Sequence, residues 1–427
     1  VKPPVVALIL LLLAWTSSFA DDKPPRFELL NGDRVVLIGG TMIERDQTYG
    51  YLETRLTRCY PDRPTTFRNL GWSGDTVEGV SRAGFGPPGD GYKQLVDHVL
   101  ALKPTRIIIG YGANESFEGQ AGLPKFVAGL DKLLKAFEPT LDPNKASVVF
   151  VAPNRQEDLG PPLPNPSAHN ADLALYRDAI RKVSQARWKS KSIVDRFVDL
   201  FDVLPDGPKA KPPLPLTDNG IHFNAYGYWR AAAAIESEIA NTPGLWRITI
   251  DRKGLTDNNH VSMISFNMDV TTQLRPIPGG AQFEARSKNL PPPPPPVGYP
   301  GIAAEARIVI ARNFDPGKYT LKIDGKPVAS ADAAAWEKGV EITKGPEFDQ
   351  VEALRQAINA KNELYFYRWR PQNETYLFGF RKHEQGQNAR EIPLFDPLVE
   401  AKEAEIAKLR VPVPHLYELI REGEAAK

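Results

Sequence analysis

The sequence predicts an α/β fold: a three-layer α/β/α domain on a five-stranded parallel sheet, then a small β module and a helical, aromatic-rich C-terminal tail. Three observations predict it. Between residues 34 and 242, short unbroken apolar runs alternate with stretches of helical spacing, the pattern of parallel strands covered by helices on both faces. After Pro243, apolar and polar residues alternate instead, as in half-exposed strands. From Phe348 the helical period returns.

The elements follow in order. Residues 34–39 read as the first strand, 65–69 as the second, 106–111 as the third, 147–151 as the fourth and 197–200 as the fifth. Helical spacing covers residues 48–60, where Tyr51, Leu52, Leu56 and Cys59 share a face, then 95–102, 123–137, 171–188 and 225–239. In the module, residues 246–250, 265–270, 306–310 and 319–323 read as strands, and Asp324-Gly325 as a hairpin turn. Pro291 to Pro296 is a polyproline run, expected as a stiff extended spacer rather than a packed element. The tail has helical spacing over 348–362 and 397–409, separated by an aromatic-rich stretch over 365–380.

The first twenty residues read as an export signal. Lys2 precedes an apolar run over residues 5–15, and Ser18-Phe19-Ala20 is a small-x-small cleavage site before Asp21-Asp22-Lys23. The run is shorter than the roughly 20 residues needed to span a bilayer. The expected organisation is therefore a signal over 1–20, an α/β domain over 26–245, a β module over 246–345 and a tail over 346–427. The mature chain is expected to be exported, to a periplasm or the exterior, without a membrane span.

Composition excludes several classes. A net charge of +1 leaves no electrostatic footprint for nucleic acid. Cys59 is the only cysteine, so no disulfide forms within the chain. The six histidines show no metal-ligand spacing, and no metal or cofactor is expected.

Chemistry concentrates where the strands end, since ligands on parallel sheets bind beyond the carboxyl ends of the strands. The first strand runs into Gly39-Gly40-Thr41, and the second into Trp72-Ser73-Gly74-Asp75-Thr76. The third runs into Gly112-Ala113-Asn114-Glu115, and a late loop carries Asp218-Asn219-Gly220-Ile221-His222. A hydroxyl, a glycine N–H, an amide and an imidazole on one sheet edge are the parts of acyl transfer. The hydroxyl attacks, the imidazole takes its proton, and the two donors hold the developing oxyanion.

These four loops, in this order and spacing, resemble the four sequence blocks of the SGNH (GDSL) hydrolases. The resemblance covers about half the chain and implies a flavodoxin-like three-layer fold and ester hydrolysis. It implies that Gly74 and Asn114 serve the oxyanion hole together with the Thr41 N–H, and that His222 is the base. The stretch over residues 361–384 further resembles the tail of SGNH-like proteins from planctomycete-type bacteria.

Two positions depart from the family pattern. The family's Gly-Asp-Ser stands here as Gly39-Gly40-Thr41, whose hydroxyl carries an extra methyl. The aspartate three residues before the histidine is Asn219, with Asp218 one step earlier. An amide does not stabilise an imidazolium as a carboxylate does; in a serine-protease triad the same exchange costs about 10⁴ in kcat.

Structural readings compete at each position. Thr41-Met42-Ile43-Glu44 also fits a helix-capping box. Gly74 also suits a plain turn, Asn114 a loop-capping amide, and His222 a residue preceding a cap at Asn224. Ser73 and Ser116 are further hydroxyls, but neither ends the first strand. The remaining histidines (His98, His169, His260, His383 and His415) read as surface or structural. In the tail, Tyr365, Tyr367, Trp369 and Phe378 suit either a clamp onto the catalytic domain or a sugar-binding wall.

The expected function is an exported ester hydrolase that removes a small acyl group, acetyl from a carbohydrate, with a small ester or acylated glycan as its partner molecule. Thr41 would attack, His222 would act as base, and Asn219 or Asp218 would orient it. The alternative is a catalytically impaired SGNH domain that binds a glycan or a protein partner.

Overall fold

The computed structural model describes residues 28–141, 147–189, 196–204, 214–240, 243–252, 262–272 and 274–423. The expected export signal and His260 lie outside these residues. Among the described residues, no helix is long and apolar enough to cross a membrane.

The first domain alternates strands and helices as the apolar runs predict. β1 (Arg34–Gly39) is followed by α1 (Thr41–Tyr49) and α2 (Tyr51–Cys59), then β2 (Thr66–Asn69) and α3 (Pro88–Ala101). β3 (Arg106–Gly110), α4 (Gly119–Phe137), β4 (Ser147–Val151) and α5 (Ser167–Lys189) come next. β5 (Arg196–Val198), α6 (Leu200–Val203) and α7 (Ala225–Ile239) complete it. All five strands pair in parallel, in the order β2-β1-β3-β4-β5. Successive strand residues point to opposite faces, so each strand feeds two cores. Val35, Leu37 and Ile108 pack with Leu52, Leu56 and Trp229 on one face. Val36, Ile107 and Ile109 pack with Leu95, Leu130 and Leu133 on the other. The strand order reverses between β1 and β3, which opens a crevice at their carboxyl ends.

Residues 48–60 were expected to form one helix, but the chain breaks at Gly50. Its φ of +66° is left-handed, and its N–H closes α1 by donating to the Asp46 carbonyl at 2.8 Å. A Cβ at this position would lie 2.1 Å from Asn359 Oδ1. The break turns α2 onto α7 and the tail.

The β module contains two sheets. Val340–Ile342, Arg307–Arg312, Arg247–Asp251 and Ser262–Phe266 form one. The other runs Lys326–Asp332, Lys318–Ile323, His415–Arg421, Gly280–Ser287 and Met268–Val270, with Arg275–Ile277 paired to Gly280–Ser287. Asp324 and Gly325, both with positive φ, make the expected hairpin turn. The tail holds the helices Pro346–Trp369 and Phe395–Leu409, but it is not helical throughout. Its segment His415–Arg421 is a strand inside the module's larger sheet, paired on both sides. The polyproline run is also packed, contrary to expectation: Pro291 and Pro293 are buried, and Trp229 Nε1 donates to the Pro293 carbonyl at 2.8 Å.

Buried charge joins these parts. Glu236 on α7 binds Arg55 at 2.8 Å and Arg58 at 2.6 Å, and Arg55 also binds Glu305 at 2.7 Å. Arg58 Nη1 donates to the Leu290 carbonyl before the prolines. Burial disfavours the Glu236 carboxylate, but the charges of Arg58 and Arg55 prevail and hold its pKa below the ordinary value. In the tail helix, Lys361 donates to Glu53 at 2.8 Å and to the Phe67 carbonyl at 3.1 Å.

Removing one partner of a buried ion pair strands the others. Glu236→Ala is expected to destabilise the protein by about 3–5 kcal/mol, read as a lower urea midpoint. Because the folded pKa of Glu236 is depressed, its contribution is fully present above the unfolded carboxylate pKa and is lost as pH falls through the folded value. The difference between parent and variant therefore shrinks in acid.

Candidate active site

The four predicted loops meet at the β1/β3 switch point. Thr41, Asn114 and His222 line one cavity of about 110 Å³. Gly74 joins them through hydrogen bonds: its N–H donates to Thr41 Oγ1 at 3.2 Å, and its carbonyl accepts from Asn114 Nδ2 at 2.9 Å.

Thr41 is the first residue of α1, directly beyond β1. The capping box that this stretch also fits does not form. Gly40 occupies the cap position, with no side-chain cap bond, and Thr41 Oγ1 turns toward Gly74 instead. The Glu44 carboxylate turns outward to accept Ser73 N at 2.7 Å, Ser73 Oγ at 2.9 Å and Arg370 Nη1 at 2.7 Å. Ser73 is therefore committed to Glu44.

Gly74 has a φ of +73°, a left-handed conformation that glycine adopts without strain. The loop after it is anchored by buried Asp75, which accepts from Arg82 Nε at 2.6 Å and from Ser81 N at 3.2 Å. Arg82 also donates to the Leu70 carbonyl at 2.7 Å. Asn114 sits after β3, where Glu115 ties two loops together. Its carboxylate accepts Gly112 N and Val77 N, each at 2.9 Å. Burial pushes the Glu115 carboxyl up to about 7.

His222 lies in a loop fixed at both ends. Glu157 accepts Leu216 N at 2.9 Å and also holds the Thr217 hydroxyl. Asn224 caps α7 by accepting Gly227 N at 2.9 Å. Burial and the nearby Arg45 charge lower the pKa of His222, against the opposing pull of Asp218. Both effects favour the neutral imidazole.

Asn219 decides where the proton of that neutral ring sits. Its Oδ1 accepts two backbone donors, Ile221 N at 3.2 Å and His222 N at 3.0 Å. Its Nδ2 consequently faces His222 Nδ1, at 3.1 Å. An amide nitrogen is only a donor, so Nδ1 must accept and the ring proton resides on Nε2. Flipping the amide would cost both backbone bonds. Among the described hydrogen bonds, none joins the exposed Asp218 carboxylate to His222.

Several residues in or behind the pocket were not foreseen. His169 was expected at the surface or in a purely structural role, yet it lines the cavity beside Phe117, Asn154 and Gln156. Its Nε2 lies 2.8 Å from Ser116 Oγ and its Nδ1 lies 2.7 Å from Gln156 Oε1. Ser116 is fully buried behind it. The tail also reaches the site's frame: Arg370 stacks over Trp72 at 3.5 Å, and Trp369 meets Trp72 edge-on. Tyr365 lies under Arg68 at 4.9 Å. These contacts have the geometry of a clamp, whereas Phe378 stays half exposed.

Comparison with known proteins agrees with this architecture. The structure is similar to that of BT4096, described as a gut microbial diltiazem-metabolizing enzyme, with a TM-score of 0.69 and 14% identity over 92% of this chain and 98% of that one. Its fold is thus shared across parallel-sheet domain, module and tail. Est24, a carbohydrate acetylesterase from Sinorhizobium meliloti, aligns over 49% of this chain and 98% of its own, with 15% identity and a TM-score of 0.35. No curated protein matches the chain. The model of the GDSL-like lipase/acylhydrolase family matches residues 37–230, which contain the end of β1, all four loops and the start of α7. Over residues 37–230 the chain is thus similar to the GDSL-like lipase/acylhydrolase family.

Proposed function

We propose that the protein hydrolyses esters of a small acyl group, such as acetyl on a carbohydrate, after export from the cell. The observation that carries this reading is the Thr41 hydroxyl held 3.2 Å from Gly74 N, in the cavity that Asn114 and His222 also line. The carbohydrate and the export rest on the family resemblance and the N-terminal sequence.

In the proposed reaction Thr41 Oγ1 bonds to the ester carbonyl carbon as its proton passes to His222. The carbonyl oxygen becomes an oxyanion, which receives the Gly74 N–H, the second Asn114 amide hydrogen and the Thr41 N–H. Collapse breaks the bond to the alcohol oxygen, which leaves with the proton from His222. Water then cleaves the acyl-threonine by the same steps and releases the acid.

Asn219 opposes the first step. With the proton on Nε2, His222 presents a donor to the pocket where a base requires a lone pair. The attack must wait for the ring to exchange its proton, and the imidazolium that follows has no carboxylate beside it. This arrangement favours a second reading, a domain that binds an acylated ligand and turns it over poorly. The two differ in rate and share one pocket.

Hydrolysis of an aryl acetate by the purified protein tests the proposal. Thr41→Ala and His222→Ala should each lower kcat by about 10²-fold or more; activity that survives both removes the mechanism. Thr41→Ser is expected to be faster than the parent, because the methyl that crowds the attack is gone. Since the pKa of His222 is lowered, the activity should persist to more acid pH than an ordinary imidazole would allow.

A separate outcome is expected for Asn219→Asp. A carboxylate accepts where the amide donates, so the proton should move to Nδ1, and the pKa of His222 should rise. Nitrogen NMR of the histidine ring reads both changes, and the aryl acetate rate should increase. An unchanged tautomer would overturn the assignment.

A further inference from the structure

We infer that Phe117, backed by His169, is a stacking platform for a ring on the alcohol part of the substrate, and so determines specificity. The inference rests on the ester-hydrolase reading for the identity of the ligand, but its geometry stands separately.

Phe117 follows Asn114 by three residues, on the short 3-10 turn Glu115–Glu118. Its ring stacks on His169 with centroids 4.1 Å apart and planes 20° from parallel. Both residues line the cavity that holds Thr41 and Asn114. The imidazole is fixed, because Ser116 Oγ and Gln156 Oε1 engage its two nitrogens at 2.8 and 2.7 Å. Phe117 thus rests on an immobile base.

Despite that support, the Phe117 side chain is not part of a core. It is 63% exposed, with one face covered by the imidazole and the remaining surface open. A large aromatic ring left open to water at the edge of a pocket gains free energy when another ring covers it. One of the proposed oxyanion donors, Asn114, is close in sequence, on the same loop. A small acyl group occupying the donors leaves the bulkier alcohol part to reach the rim where Phe117 stands. The ligand chemistry is a flat or apolar ring face, supplied either by an aryl group or by the C–H face of a pyranose.

The test compares phenyl acetate, an acetylated methyl pyranoside and ethyl acetate as substrates of the full chain and of Phe117→Ala. Loss of the platform should raise KM and lower kcat/KM by about threefold to tenfold for a ring ester, the range of an aromatic pair, and leave ethyl acetate within about twofold of the parent, a change below the weakest such pair. Phe117→Tyr should restore the parent values. An effect on phenyl acetate alone identifies an aryl ligand, and one on the pyranoside alone a sugar. An equal effect on all three esters, or none, overturns the platform. If the parent hydrolyses none of them, the hydrolase reading fails, and ring binding decides the platform by itself. Saturation-transfer NMR should then show phenol or methyl pyranoside contacting the parent and Phe117→Tyr, but losing that contact in Phe117→Ala. Absent ring binding, or binding indifferent to Phe117, overturns the inference.

Discussion

The carboxylate of Glu44 is the constraint on which the site depends. It stands in the first turn of α1 and receives Ser73 N, Ser73 Oγ and Arg370 Nη1. Three stretches of chain that are remote in sequence are held by these charge-assisted bonds, which are stronger than neutral ones. One stretch carries Thr41, the next carries Gly74, and the third is the tail. The 3.2 Å contact between Thr41 Oγ1 and Gly74 N exists because Glu44 fixes both of their neighbours. Arg370 adds a flat guanidinium over Trp72, so the tail bears directly on the loop that carries Gly74. The domain and its tail are in this sense one frame.

Much of this fold was legible in the sequence, for a local reason. Continuous apolar strands such as Ile107-Ile108-Ile109 declare burial on both faces without reference to anything distant. The loops at their ends carry polar residues and glycines that a buried strand would not tolerate, so the site's edge was visible too. Other features depend on partners far along the chain. Glu44 suggested a capping box because Thr41 precedes it by three; only the folded position of Ser73 and Arg370 redirects it. His169 gave no signal at all, since its two neighbours, Ser116 and Gln156, come from other loops. The strand His415–Arg421 does alternate, with His415, Tyr417 and Leu419 buried, but seven residues after a charged helix are easily taken as its continuation.

Asn219 separates two properties that an aspartate would combine. One oxygen of the side chain holds the backbone of the loop, through Ile221 N and His222 N, and asparagine performs that task as well as aspartate. The second oxygen would have faced the imidazole, and there asparagine presents a nitrogen. Shape is preserved while the direction of one hydrogen bond is inverted. A loop can therefore look intact in every backbone contact and differ in its chemistry.

The strand His415–Arg421 has a further consequence for how the molecule is made. It lies between Gly280–Ser287 and Lys318–Ile323 and pairs with both. During synthesis those two strands emerge with an unfilled lane between them, about a hundred residues before its occupant is translated. Their facing edges carry unpaired N–H and C=O groups for that interval, and such edges invite pairing with other chains. The parallel-sheet domain has no such debt, since β1 to β5 are complete by residue 198. The five parallel strands need nothing beyond residue 198 to pair, whereas the module's larger sheet is complete only with residues 415–421.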